Sequence, residues 1–532
     1  MGRMRVLVVA VAVVVATSGC AWIGRVGVSS TGAQPGGGIS TGTDLSPDGR
    51  FVVFSSDAAN LAPGDTNNST DVFLRDNQLK TTERVSVGTG GVEGDAGGDH
   101  GLVSADGRYV AFSSDSTNLV AGDTNASTDV FLRDRQLATT IRVSVRSAGG
   151  QSDGTSYLQS MTPDANQIVF ASDAENLIGT LDQNFSTDIY LRDRTTSKTT
   201  RVSVATDGTE GDSDSSIASI SDNGRYVAFS SNASNFDPND TGVFADVFVR
   251  DRTLGTTTRL TGFPDTTEAD GDSSNVVISG DGSTVVFDSD ATNLVTPADG
   301  NGTTDVYAVT VATGAIERIS TSATGGDASD FSFLAGVSDN GRFVAFQSAA
   351  KNLISMPLVA KVVDSFVRDR SNGSTALVGR TQSQGEPSNP DPSLAGSSPN
   401  AISGDGRYVL FTSAATDVLG ASDTNGIVPD VFMGSNPVPL IFLATPSTVA
   451  RGTTTTISLQ GSGLHAGSLV LMGDGVTVNS VTPVSESKLD VNVTVAPDAA
   501  LGPRMPFVVD NGTGAGAFTG GLTFFPGLYS VV

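Results

Sequence analysis

The residues with the clearest capacity for chemistry are acidic and recur at fixed spacing. Asp65, Asn67 and Asp71 form an Asp-x-Asn-x-x-x-Asp phrase that returns as Asp123, Asn125 and Asp129, as Asp182, Asn184 and Asp188, and as Asp299, Asn301 and Asp305. Carboxylate and amide oxygens at positions 1, 3 and 7 could wrap a hard cation, and Ca²⁺ is the ion this spacing suits. No bidentate Glu follows at position 12, so the affinity expected is the ~10⁻⁴–10⁻³ M of extracellular modules. The same residue types also cap turns through Asx hydrogen bonds and start strands, which requires no cofactor. Catalytic groups are scarce. Gly38-Ile39-Ser40-Thr41-Gly42 fits the spacing of a nucleophile elbow but lacks the strand-to-helix context that activates the serine. The two histidines, His100 and His465, lie far apart in the sequence.

The phrases sit inside a repeat. Ser46-Pro47-Asp48-Gly49-Arg50-Phe51-Val52-Val53-Phe54 returns near residues 104, 162, 221, 279, 338 and 403, and its final aromatics are Phe54, Phe112, Phe170, Phe229, Phe287, Phe346 and Phe411. Each unit reads as four short strands. Asp-Gly makes the first hairpin turn, which needs positive φ, and Phe51 to Phe54 follow it. Asp71-Val72-Phe73-Leu74 make a third strand and Arg84-Val85-Ser86-Val87 continue a fourth. Consecutive apolar residues in the second and third strands predict burial on both sheet faces. Four antiparallel strands per unit, stacked about an axis, predict a seven-bladed β-propeller over residues 21–436. The S-x-D-G-R-Y-V-A-F phrase resembles the WD-like repeat of TolB-type propellers. The last unit lacks a fourth strand, and Arg25-Val26-Gly27-Val28-Ser29 reads like Arg84 to Val87. The N-terminal segment is therefore expected to pair with the last unit and close the ring.

Arg3 and Arg5 precede an apolar run, Val6 to Ala16, too short to span a bilayer and suited to export. The run ends in Thr17-Ser18-Gly19-Cys20, which resembles a bacterial lipobox. That resemblance implies that residues 1–20 are a signal peptide, that Cys20 is lipidated, and that the chain is held by a lipid anchor on the extracytoplasmic side of the bacterial cell envelope. Residues 440–532 change composition to alternating strands with Thr445-Pro446-Ser447, Gly452-Thr453-Thr454 and Gly461-Ser462-Gly463-Leu464. They resemble a TIG-type immunoglobulin-like domain, which implies a β-sandwich following the propeller in an all-β chain.

The formal charge is −26, with 31 Lys+Arg against 57 Asp+Glu. That balance excludes a nucleic-acid binder, and a single cysteine excludes an intramolecular disulfide framework. The loops before the third strands are expected to make one face acidic. In the sixth unit that loop becomes Ile354-Ser355-Met356-Pro357-Leu358-Val359-Ala360. Met356, Leu358 and Val359 could dock an envelope protein or surface ligand there, or the segment could fold inward or pack on the C-terminal domain. The function expected is a non-catalytic binding platform at the envelope that requires no cofactor. The alternatives are a TolB-like accessory of envelope transport or integrity, and a glycan or peptide hydrolase using acids in a central channel.

Overall fold

The computed structural model describes residues 23–147, 149–179, 182–262, 268–355, 358, 362–379, 396–419, 423–436, 440–462, 469–472, 475–485, 488–504, 507–509 and 529–531. Among them there is no helix. Seven four-stranded antiparallel sheets occupy 23–436. Sheet 1 comprises Ser40–Leu45, Phe51–Ser56, Asp71–Asp76 and Thr81–Arg84, hydrogen-bonded in that order. Sheets 2 to 6 repeat the pattern over 98–142, 156–201, 215–259, 273–318 and 332–377.

The first strands of consecutive sheets contact one another, and Ser40–Leu45 contacts the first strand of sheet 7, Ser398–Ile402. The ring is therefore closed, with first strands around the axis and fourth strands outside, which is the arrangement of a β-propeller.

Side-chain packing explains the repeated phrase. Every residue of Phe51–Ser56 and Asp71–Asp76 is buried, as the unbroken apolar runs predict for sheets covered on both faces. Phe54 pairs with Phe73 across the strands, their rings stacked at 5.5 Å. The equivalent pair stacks in each of the other six sheets. In the hairpin before it, Ser46 Oγ donates to Asp48 Oδ1 at 2.7 Å, Arg50 N donates to the same oxygen at 3.0 Å, and Gly49 has φ +72°. Arg50 then grips Asp76 at the end of the third strand, Nη2 to Oδ2 2.7 Å. Serine, aspartate, glycine and arginine of the phrase thus all build the turn.

Sheet 7 joins Ser398–Ile402, Tyr408–Ser413 and Asp430–Ser435 to Ile23–Arg25. Ile23 pairs with Gly434, Gly24 with Met433 and Arg25 with Phe432, and Val26 N continues the ladder to Val431 O at 2.9 Å. The N-terminal segment supplies the outer strand, as its likeness to Arg84–Val87 predicts. The next turns also lock onto sheet 1: Thr82 Oγ1 donates to Val28 O at 2.5 Å and Arg75 Nη1 to Ser29 O at 3.0 Å.

Alternation of strand direction gives the ring two ends. One carries the tight hairpins, and Ile23 enters there. The other carries the loops between second and third strands, such as 57–70, and the connectors between sheets, such as 85–97.

Beyond residue 439, Leu440–Thr445, Thr454–Ser462, Lys488–Val495 and Val476–Ser485 form a four-stranded sheet. A three-stranded and a two-stranded sheet accompany it. Residues of the four- and three-stranded sheets share one apolar core that includes Val449, Ile457, Leu459, Leu489, Val491 and Val531.

Candidate functional site

On the loop end, the outer strand of a sheet delivers an arginine between the carboxylates of the Asp-x-Asn-x-x-x-Asp loop. In sheet 1, Arg84 Nη1 lies 3.4 Å from Asp65 Oδ1, 3.0 Å from Asp71 Oδ2 and 2.7 Å from Glu93 Oε1. Arg142 meets Asp123 and Asp129 at 3.6 and 3.2 Å, with Gln151 in place of the glutamate. Arg201 holds Asp182, Asp188 and Glu210 at 3.0, 3.1 and 2.5 Å. Arg259 joins Asp237, Asp240, Asp246 and Glu268 within 3.4 Å. Arg318 pairs with Asp299 and Asp305 at 3.7 Å and contacts Asp327. Sheet 7 repeats the arrangement through Arg25, 3.0 Å from Asp430 and 3.5 Å from Asp423.

The asparagines of the phrase do a different job. Asn67 Oδ1 accepts from Ser69 N at 2.9 Å while its Nδ2 donates to Gly94 O at 3.1 Å. Asn184 and Asn301 do the same with Ser186 and Gly211, and with Thr303 and Ala328. Asn125 follows with Ser127 and Ser152. Their oxygens are therefore engaged as Asx caps, and the loop is fixed to the connector leading into the next sheet. Three groups, Asp65/Asp71/Glu93, Asp182/Asp188/Glu210 and Asp240/Asp246/Glu268, still bring their carboxylates within 4.8 Å of one another. A divalent ion at any of them would share the space with a guanidinium.

Burial governs the acidity of these groups. It pushes Asp71 up against the opposing pull of Ser86 Oγ, 2.5 Å away, and of Arg84. Asp188, Asp305 and Asp430 are raised to about 6 for the same reason. Glu93, nearer solvent, is lowered to about 2 by hydrogen bonds from Thr66 Oγ1 and N, then by Arg84.

The glutamate position was missed in the sequence, as was the role of the arginine. A signal exists: Arg84 and Glu93, Arg259 and Glu268, and Arg318 and Asp327 are each nine residues apart, and Gln34 stands nine after Arg25.

Around the axis, the first strands are irregular in register, and polar side chains of one sheet take up N–H groups of the next. Asp44 Oδ2 accepts from Val103 N at 2.8 Å. Asp288 accepts from Leu334 N at 2.6 Å and from Asn275 Nδ2 at 2.9 Å. Burial raises both carboxyls to about 7. His100 is exposed with φ +52° at the same level of sheet 2. Ser40, the serine of the Gly-x-Ser-x-Gly match, is fully buried and shares a hydrogen bond with Ser56 at 2.8 Å.

Leu358 is half-buried and packs with Ile354 against the cluster between sheets 5 and 6. Met356, Val359, Cys20 and His465 lie outside the described residues. Apolar residues exposed at the loop end include Phe185 at 74%, Val243 at 86%, Phe244 at 40% and Ile427 at 53%, with Ile39 and Val92 standing singly on sheets 1 and 2.

No protein-family model and no curated protein matches the chain. Solved structures similar to it include a TolB-like protein of Agrobacterium tumefaciens, 17% identical, covering 53% of this chain and 80% of that one with a TM-score of 0.34. An oligogalacturonate lyase of Vibrio parahaemolyticus is 12% identical over 78% of this chain and 93% of its own, TM-score 0.46. A GH74 xyloglucanase of Xanthomonas campestris is 11% identical over 83% of this chain and 60% of its own, TM-score 0.40.

Proposed function

We propose that the chain is an exported, lipid-anchored propeller of seven blades that binds a partner at the bacterial envelope, with an immunoglobulin-like module after it. The observation that carries this reading is the use made of the buried acids. The aspartates of six of the sheets face a guanidinium, and Asp44 and Asp288 face N–H donors of the adjoining sheet. These acids are thereby taken up within the architecture, which supports a binding role for the loop end as a rigid, strongly acidic surface. The guanidinium also places one positive charge among these carboxylates, which supports a reading without a resident metal.

The anchor rests on Arg3, Arg5, the Val6–Ala16 run and Cys20, which stands three residues before the strand that closes the ring. Lipidation there would hold the hairpin end, where Ile23 enters, toward the membrane and turn the acidic end away from it. Metabolic labelling with a fatty-acid analogue should mark the wild type and leave Cys20→Ser unlabelled. An unlabelled wild type contradicts the anchor. Cross-linking in intact cells should then recover a discrete partner. If purified chain instead cleaves polysaccharide or peptide, and Asp288→Asn abolishes the cleavage, the hydrolase reading replaces this one.

A further inference from the structure

We infer that the loop end of sheets 3 and 4 is a docking surface for a cationic polypeptide segment that brings an apolar side chain flanked by lysine or arginine. The inference deepens the binding role proposed above and rests on it.

The first observation is a residue in an unfavourable place. The fourth position of the acidic loops has positive φ in five sheets, occupied by Asn68 (+53°), Ala126 (+52°), Phe185 (+55°), Gly302 (+64°) and Gly426 (+78°). Glycine and asparagine adopt this conformation readily, whereas a bulky L-residue there is an outlier. Phe185 is nonetheless 74% exposed, so burial within the chain does not offset the strain. The corresponding loop of sheet 4 presents Val243 and Phe244 outward as well.

The second observation is continuity. Gln183 N donates to Glu210 Oε1 at 3.0 Å and Asn184 Nδ2 to Gly211 O at 2.8 Å. Asn235 of sheet 4 donates to Glu210 O at 2.7 Å and accepts from Asp212 N at 3.2 Å. Phe236, next in sequence, is buried against Phe229 and Phe248. The loop that holds Phe185, the connector 210–214 and the start of the sheet 4 loop are therefore one bonded surface on a rigid base.

The third observation is charge. Glu210, Asp212, Asp214, Asp237, Glu268 and Asp272 border these apolar tips, while Arg201 and Arg259 lie beneath them at 5% and 2% side-chain exposure. Asp212, Asp214 and Asp272 face solvent, Glu210, Asp237 and Glu268 are half-buried on the two interior guanidinium groups, and the charge left at the surface is negative. This field attracts a cationic partner and opposes both an anionic lipid surface and the same face of a second copy.

The test compares the wild type with a Phe185→Asn, Val243→Thr double variant of the full chain. Asparagine is the residue sheet 1 uses at the same φ, so the variant should melt at or above the wild-type temperature. The probe is a fluorescent peptide of alternating lysine and leucine, with a lysine and serine peptide of equal length and charge as control, followed by anisotropy at about 0.15 M salt. Binding of the lysine and leucine peptide should weaken roughly tenfold or more in the variant, with the control weak and unchanged. Equal binding of both peptides, or no loss in the variant, overturns the proposal. So does adsorption to phosphatidylglycerol vesicles, or self-association, that the double variant removes. A cellular partner still cross-linked to the variant would leave the binding role standing and refute this surface alone.

Discussion

Sheets 6 and 7 solve the same structural problem in opposite ways. Sheet 7 is assembled from the two ends of the ring, and its outer strand still brings Arg25 between Asp423 and Asp430 while Gln34 Oε1 accepts from Thr424 N at 3.0 Å. Sheet 6 is contiguous and has abandoned the arrangement. Leu377 stands where the other sheets have arginine, buried with Leu353 and Phe366 in the apolar cluster that Leu358 joins. Gly379 replaces the serine equivalent to Ser86, and Ser397 Oγ takes over by accepting from Ser365 N at 3.2 Å. The ion cluster therefore follows from a strand's place in the ring and not from chain continuity. An apolar seam can substitute for it.

Removing the borrowed strand should have the largest effect. Deleting residues 22–30 exposes the edge of Asp430–Ser435 and strips Asp423 and Asp430 of their cation, so the cooperative melt should be lost or shifted far downward by calorimetry. Arg25→Met keeps the strand and isolates the charge term, for which an uncompensated buried carboxylate costs about 3–5 kcal/mol. A near-wild-type melt in both variants would break the comparison.

Within contiguous sheets, Arg84→Met should cost a similar amount, about 3–5 kcal/mol, and Leu377→Ala about 2–5 kcal/mol from the cavity it leaves. Denaturant titration separates them by their response to calcium. Millimolar Ca²⁺ should leave the wild type and Leu377→Ala unmoved and partly restore Arg84→Met, whose carboxylates are already gathered within 4.8 Å. A calcium-dependent rise in the wild type would show that the ion competes successfully with the guanidinium.

The smallest effect expected is the pH response, and it sets the buried aspartates against Glu93 at the solvent side of the loop end. Asp288, raised to about 7, keeps in the folded state a proton that the unfolded chain releases near its ordinary value. Stability should therefore fall as pH rises from about 4 to 7. Glu93, lowered to about 2, contributes in the other sense, and its stabilisation is lost only as pH drops below about 4. Melting temperature should decline between about pH 4 and 7 in the wild type, and less steeply in Asp288→Asn, where Asp44, raised to about 7 as well, still contributes.

Much of this fold was legible because the repeat writes each strand seven times. Phe54 and its six equivalents mark the second strands, and the likeness of Arg25–Val28 to Arg84–Val87 reveals the ring closure. The site was less legible. Asp65, Asn67 and Asp71 read as an oxygen cradle, but spacing along one loop does not show that Arg84, on a strand beyond the hairpin, ends between the two aspartates. It also does not show that Asn67 turns its amide to Gly94. In the same way, Ile354 and Leu358 look like an exposed apolar loop until the gap between sheets 5 and 6 is seen to take them. Phe185 is only one aromatic among many until its backbone conformation sets it apart.

The closure of the ring by the N-terminal strand is the claim on which the rest depends, and amide hydrogen exchange of the full chain tests it most directly. Residues 24–28 should be protected to the level of the third strand of sheet 1, Asp71–Asp76, since they share the ladder with Val431 to Gly434. Exchange of 24–28 as fast as that of the exposed loop 63–68 would contradict it.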